Sequence, residues 1–506
     1  VADADEISNA LFAEGIQAFG RGDLHAARDA FDRAALTASA DPALANRRAH
    51  SLTNCANAAT NLGDHVGALA MLGTALDLCD ESPDGSLAGL RPLILTARAP
   101  ALMAIGDYDG AGTALEHALV ILDADPPPVG EEDRVTLLIS ALMSLTMLAS
   151  NREDWPRANE LGTRCLTVVT AHRPELAGVP LMNLADIALH TGRPELALDF
   201  GVQALAAFEH NGDAGGAAEM RRALGQMHLR AERFDEAEPL LITAQEFFEA
   251  AGLPHQAAAG LDMLGLLAAA RGETDTATAR FAASAALFDR VGQPVEAAEA
   301  RGRQGMVAYL AGNRAEGEAL LTATAAVQAG HGLPVRAAQL HIAMATLFEQ
   351  SEDPALLARA ADLAVPAALA IDAVAHTLTS GRQRDQWRRN VAEPAVAVAF
   401  RVAARSGNGP LVAQLVEARC AGSTLEHRTE PASPPQGMEG LMYPAQAPVS
   451  IGTALADAAA GPGLTVGLPP RLALTPDGGI ALDVHLDRAV ERYGVPVRAE
   501  GTIPSW

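Results

Sequence analysis

Apolar helical stretches alternate along this chain with brief polar turns, and the turns recur at a fixed interval. Helix-to-helix turn signals stand at Gly22-Asp23, Gly63-Asp64, Gly106-Asp107, Glu153-Asp154, Gly192-Arg193, Glu232-Arg233, Gly272-Glu273, Gly312-Asn313 and Glu352-Asp353. Their spacings are 41, 43, 47, 39, 40, 40, 40 and 40 residues. Such a period marks a repeat architecture with one helix pair per unit. Aligned on the first turn residue, the position seven before it reads Gly15, Ala56, Ala99, Thr146, Ala185, Gly225, Gly265, Gly305 and Ala345. Five after the turn stand Ala27, Ala68, Ala111, Ala158, Ala197, Ala237, Ala277 and Gly317, with Leu357 the exception. Small side chains let two helix backbones approach, while neighbours such as Phe31, Leu241, Leu264 and Phe281 fill the space beside them. A second punctuation, Gly252-Leu253-Pro254, Gly292-Gln293-Pro294 and Gly332-Leu333-Pro334, closes the middle repeats. Glycine ends a helix in the left-handed conformation, and proline suits the first turn of the next. The pattern predicts an all-α chain of about nine helix hairpins.

These offsets are those of the tetratricopeptide repeat, with Leu-Gly in helix A and Ala, Phe and Ala in helix B. A period of 40 also fits HEAT or armadillo repeats on length alone; the small-residue columns favour the tetratricopeptide pattern. The Gly-Leu-Pro and Gly-Gln-Pro punctuated repeats resemble the long tetratricopeptide arrays of actinobacterial regulatory proteins. The stretch PAALAIDAVAHTLTSGRQRDQWRRNVAEPAVAVAFRVAARSGNGPLVAQLVEAR, from Pro366 to Arg419, is similar to the helical segment that ends such arrays in CHAT proteins, the caspase-like proteases associated with these repeats. The resemblance implies a right-handed tetratricopeptide-like α-solenoid over residues 5–365 and a helical capping extension over 366–428. Only 87 residues follow Arg419, too few for a caspase-like domain, so the expectation is a sensor or partner chain without its own protease.

Residues 429–463 are rich in Pro, Gly, Ala and Ser and read as a linker. The tail 464–506 reads as a small α+β piece. Alternating residues flank Pro476-Asp477-Gly478-Gly479 and suggest a β-hairpin, an amphipathic helix is expected near Asp483–Tyr493, and an extended end follows. A piece this short buries too little surface to stand alone, so it is expected to dock on the repeats or on a partner.

Composition narrows the function. Hydrophobic residues make up 49% of the chain but aromatics only 4%, because alanine dominates the small-residue columns. A net charge of -25 opposes phosphate attraction and argues against nucleic acid. Every basic residue besides histidine is arginine, which removes the P-loop lysine and Schiff-base chemistry. No uninterrupted apolar run reaches the roughly 18 residues of a membrane span. With acidic Asp3, Asp5 and Glu6 where a signal peptide is basic, a cytoplasmic, reduced protein is expected. Cys55, Cys79, Cys165 and Cys420 are too scattered for a disulfide framework or a zinc site. HExxH, GxSxG, GxGxxG and CxxC are all missing. A cysteine nucleophile at Cys420, with His427 or His376, lacks a strand to present it, because Cys420 ends a helix. The expectation is a non-enzymatic protein without cofactor or metal.

In the tetratricopeptide register, helix A lines the concave wall at positions 13, 10, 6, 3 and 2 before the turn; that placement is what the resemblance implies. It makes His50, Asn57 and Asn61 candidates for clamping a peptide backbone. Met103, Met143, Met147 and Met182 follow as adaptable apolar contacts. Arg222, Gln226 and Arg230 come next, with Asp262 and Glu299 beyond. Ordinary packing or solvation is the alternative for each. A second candidate surface gathers Arg382, Arg384, Arg388 and Arg389 around Trp387, with Trp506 as a terminal anchor. A capping helix whose Trp387 covers the last repeat is the competing account. The expected role is an interaction scaffold that binds a protein or peptide and regulates an effector, such as a caspase-like protease encoded nearby, in stress or defence signalling. The alternative is a sensor of a small molecule or signal peptide.

Overall fold

The computed structural model describes residues 3–82, 86–152, 154–378, 381–420, 425–427, 464–466, 468–474 and 479–504, without the side chains at 381–383, 420, 425–427 and 464–466. The expected linker at 429–463 lies outside the described residues. The chain falls into two compact units, one of residues 1–189 and 193–220, the other of 190–192 and 221–506.

The first unit contains helices α1 (Ala4–Gly20), α2 (Leu24–Ala38), α3 (Ala45–Asn61), α4 (His65–Glu81), α5 (Arg91–Ala104), α6 (Tyr108–Leu122), α7 (Glu131–Asn151), α8 (Trp155–His172), α9 (Gly178–His190) and α10 (Pro194–His210). From α1 to α8 each helix packs on the next, and α1, α3, α5 and α7 also touch in succession. The reason lies in the turns. Gly22 takes φ +78° and Gly63 φ +85°, a conformation that glycine adopts without the strain a Cβ would bring. The next residue then caps the following helix: Asp23 accepts from the Ala26 amide at 3.1 Å and Asp64 from Gly67 at 3.0 Å. At the crossing of α1 and α2, a Cβ on Gly15 would sit 2.6 Å from the Phe31 ring. The small column therefore makes room for the aromatic one.

Helix α11 (Ala214–Arg230) contains the division between the units. The second unit continues with α12 (Phe234–Ala250), α13 (Pro254–Ala270), α14 (Thr274–Arg290), α15 (Pro294–Leu310), α16 (Arg314–Gly330), α17 (Pro334–Glu349) and α18 (Pro354–Val374), each packed on the next. The helices expected on either side of the nine turns are all present in chain order, from α1 to α18. Helix α18 runs unbroken through Pro366, so the expected start of the capping extension is not a break in the chain. Helices α19 (Gly381–Trp387), α20 (Glu393–Arg405) and α21 (Gly409–Cys420) follow, with a π-helical stretch Arg388–Ala392 between the first two. Although no uninterrupted apolar run is that long, α7 and α18 are long and apolar enough to cross a membrane by length and composition; 56% and 61% of their apolar windows are buried.

The tail belongs to the core of this unit. Leu486, Ala489 and Tyr493 of α22 (Asp483–Tyr493) join the same apolar cluster as α17, α18 and α20. His341 Nδ1 and the Tyr493 hydroxyl share a 2.6 Å hydrogen bond, Arg492 donates to the Asp362 carboxylate at 2.6 Å, and Arg488 pairs with the same carboxylate. The strands pair outside the expected hairpin. β1 (Leu425–His427) pairs antiparallel with β2 (Leu464–Val466), while β3 (Arg471–Ala473) pairs in parallel with β4 (Thr502–Pro504). The expected hairpin survives in short form, with Ala473 bridging Ile480 antiparallel, Leu474 donating to the Gly479 carbonyl at 2.7 Å and Ala481 to the Leu472 carbonyl at 2.8 Å, before the chain turns into α22.

Candidate ligand-binding site

The helix-A positions of the seventh and eighth hairpins build a cavity in the second unit. Leu266 and Ala269 of α13 and Glu299, Gly302, Met306 and Leu310 of α15 line it, and all stand where the tetratricopeptide register places the wall. Its volume is about 330 Å³. Phe281 and Leu321, both fully buried, close its floor, and Leu310 stands 62% exposed at its rim. A Cβ on Gly302 would lie 3.1 Å from the Thr324 side chain, so the glycine keeps this part of the cavity open.

Charges border the apolar floor in neutralised pairs. Arg303 donates to Asp262 at 3.0 Å and Arg336 donates to Glu299 at 2.8 Å. Burial holds the Asp262 carboxyl above its ordinary pKa, against the pull of Arg303. Gln328, only 5% exposed, donates to Glu299 at 3.4 Å, yet its Oε1 has no hydrogen-bond partner among the described residues. The result is an apolar, charge-balanced recess with one unsatisfied acceptor. An unsatisfied buried acceptor costs the fold about 1–3 kcal/mol.

The other candidates are placed as follows. In the first unit His50 is partly buried, and burial, with Arg47 beside it, lowers its pKa. Asn61 donates to the Asn57 carbonyl at 2.9 Å, so this amide caps its own helix turn. Met103 and Met143 pack against the apolar core of their unit, Met182 is partly buried and Met147 is 45% exposed. In the second unit Arg222 and Gln226 are partly buried and Arg230 is exposed. Trp387 is corrected from a surface contact to a packing residue: it is fully buried and its indole N–H donates to the Ile371 carbonyl at 2.9 Å. Arg384 donates to the Leu378 carbonyl and Arg389 pairs with Asp385, while Arg388 is partly buried. The Arg382 side chain and Trp506 lie outside the described residues, as do the side chains of Cys420 and His427. His376 is buried in the turn after α18. Among the described residues no group of three His, Cys, Asp or Glu side chains converges as a metal site.

Register alone singled out Asp262 and Glu299. It missed Arg303 and Gln328: the first lies off the wall positions, and the second is on helix B and reaches the cavity only through packing.

Comparison with known proteins agrees with the helix-pair architecture. The tetratricopeptide repeat family model matches residues 176–250. Within that stretch the chain matches tetratricopeptide repeats. Among solved structures, the apo form of RapI aligns with a TM-score of 0.50 at 10% identity, covering 71% of this chain and 99% of RapI. A STAND signal-transduction ATPase with a tetratricopeptide repeat sensor, from Pyrococcus horikoshii, aligns at 0.49 and 16% identity over 64% of this chain, which spans 47% of that protein's length. A tetratricopeptide repeat protein from Parabacteroides merdae aligns at 0.41 and 14% identity, covering 62% of this chain and 98% of that one. At 10% identity the likeness to RapI is one of fold alone. No curated protein sequence matches the chain.

Proposed function

We propose that this protein is a non-catalytic binding module that takes an extended peptide segment of a partner protein on the helix-A wall of its second unit. The observation that carries the proposal is the apolar recess of about 330 Å³ that the helix-A wall positions of α13 and α15 build. A large uncharged side chain of the bound segment fills the recess. Charged ligands gain little there, because Asp262 with Arg303 and Glu299 with Arg336 already neutralise one another. The partner we propose is an effector of the caspase-like class, supported by the resemblance of the repeats and of the segment after them to CHAT arrays. The proposed setting is cytoplasmic, in keeping with the free thiols of Cys55, Cys79 and Cys165.

Peptides selected from a displayed library test the reading. Binders enriched in one large apolar residue are expected, and Leu310→Asp is expected to weaken them at least tenfold while leaving the melting temperature close to wild type, since Leu310 is exposed. Binders without an apolar anchor, or binders indifferent to Leu310→Asp, refute it. The cavity volume also suits a small molecule, for which pockets start near roughly 300 Å³. A compound that raises the melting temperature and loses that effect in Leu310→Asp, with no peptide selected, favours this second reading.

A further inference from the structure

The second unit has another recess, far smaller, where its capping helices meet the docked tail. Val365, Leu369 and Asp372 of α18, Phe400 of α20, Arg419 of α21 and Arg498 of the tail are among its walls. Its volume is about 30 Å³, enough for one small polar group. Among the described residues the charges in it do not balance. Arg419 donates to Asp372 at 3.1 Å, and the Asp372 side chain is only 14% exposed. Arg498 lines the same cleft without pairing with that carboxylate, and among the described residues its guanidinium donates only to the carbonyl of its neighbour Val497, at 2.8 Å. Two guanidinium groups and one carboxylate thus line a cleft whose other described walls are aliphatic and aromatic side chains. Burial pulls the Arg498 pKa below its ordinary value, the direction expected of a cation that has given up water without gaining a full counter-charge. A partly desolvated, uncompensated cation is costly to the fold, and an anion of the right size offsets that cost.

We infer that this cleft is a carboxylate-binding site, in which a single carboxylate group seats against Arg498 and Arg419 and ties the tail to the cap. A planar carboxylate matches the guanidinium fork, and the small volume excludes a phosphate ester or a bulky dianion. The carboxylate can come from a free small acid or from the end of a peptide, and the probes separate the two. The full chain is titrated with sodium acetate, with N-acetyl-alanine and with N-acetyl-alanine amide, against sodium chloride at equal ionic strength, by calorimetry and by melting temperature. Both carboxylates are expected to bind and to raise the melting temperature, and the amide and chloride are not. Tighter binding of N-acetyl-alanine than of acetate assigns the site to peptide ends, and the reverse assigns it to free acids. Arg498→Met is expected to weaken binding at least tenfold, the scale of a lost charge-assisted hydrogen bond. Asp372→Asn removes the competing internal carboxylate and is expected to tighten binding several-fold, so this variant shifts affinity in the opposite direction and keeps the test sharp even if Arg498→Met folds poorly. Equal effects of chloride and carboxylate, unchanged binding in Arg498→Met, or weaker binding in Asp372→Asn would overturn the inference.

Discussion

Replacing Gly265 by alanine sets two well-calibrated effects against each other. Gly265 lies inside α13, where alanine is favoured over glycine by about 1 kcal/mol. A Cβ built there stands 2.7, 2.8 and 3.1 Å from three atoms of the Phe281 ring, which is itself fully buried. The ring cannot retreat without displacing its own neighbours, and overpacking of this kind costs about 1–3 kcal/mol. The clash wins, and Gly265→Ala is expected to destabilise by up to about 2 kcal/mol. Gly73 supplies the control, because it is also helical and a Cβ there meets nothing within 4 Å. Gly73→Ala is therefore expected to stabilise by about 0.5–1 kcal/mol. Trimming the ring with Phe281→Leu should remove most of the cost of Gly265→Ala, a coupling that a double-mutant cycle reads directly. Urea unfolding measures the midpoints, and hydrogen exchange of the α13 and α14 peptides localises the loss, since a repeat array need not unfold in one step. A Gly265→Ala variant as stabilised as Gly73→Ala would refute close packing of Phe281 on this glycine.

Two further outcomes follow from the backbone and from the buried tail. Glu232 holds φ +56° at a turn position where Gly22, Gly63, Gly192 and Gly272 also take positive φ; Glu232→Gly is expected to stabilise by about 1 kcal/mol, and an unchanged or lower unfolding midpoint contradicts it. Burial, reinforced by Arg492, pushes His341 down from 6.5 to about 4. Between those values the unfolded chain binds a proton that the folded one refuses, so stability rises as pH rises from about 4 to 6.5. His341→Gln should flatten the melting-temperature profile in that window, and a slope identical to wild type counts against the buried His341–Tyr493 contact.

Much of this architecture could be read from the sequence because its causes are local. Turn glycines, the aspartates that cap the following helix and the small columns at helix crossings each act within one repeat, so the nine turns and the helices on either side of them were legible from their spacing alone. The wall positions of α13 and α15 were legible for the same reason: a helical register fixes which residues share a face. The site itself was only half visible. Asp262 and Glu299 stood in the register, but Gln328 and Phe281 enter the cavity from helix B, across a crossing that the sequence does not measure. Met103 and Met143 show the converse, since the register placed them on the wall and packing drew them towards the core.

The tail marks the clearest divide. Its helix was readable from amphipathic pattern, and α22 spans Asp483–Tyr493 as that pattern requires. Its strands were not, because β3 at Arg471–Ala473 pairs with β4 at Thr502–Pro504 although α22 lies between them in the chain, and pairing between distant segments is chosen by the surfaces already in place rather than by either segment alone. The sequence by itself determined the repeat, its turns and its all-α class, since each rests on interactions within a few residues. Tertiary structure decided that Trp387 is core, that the tail is docked, that Gln328 Oε1 lacks a partner among the described residues and that Arg419 and Arg498 meet Asp372 in one cleft. Each of these depends on which distant side chains exclude water from one another, and that is a property of the packed chain.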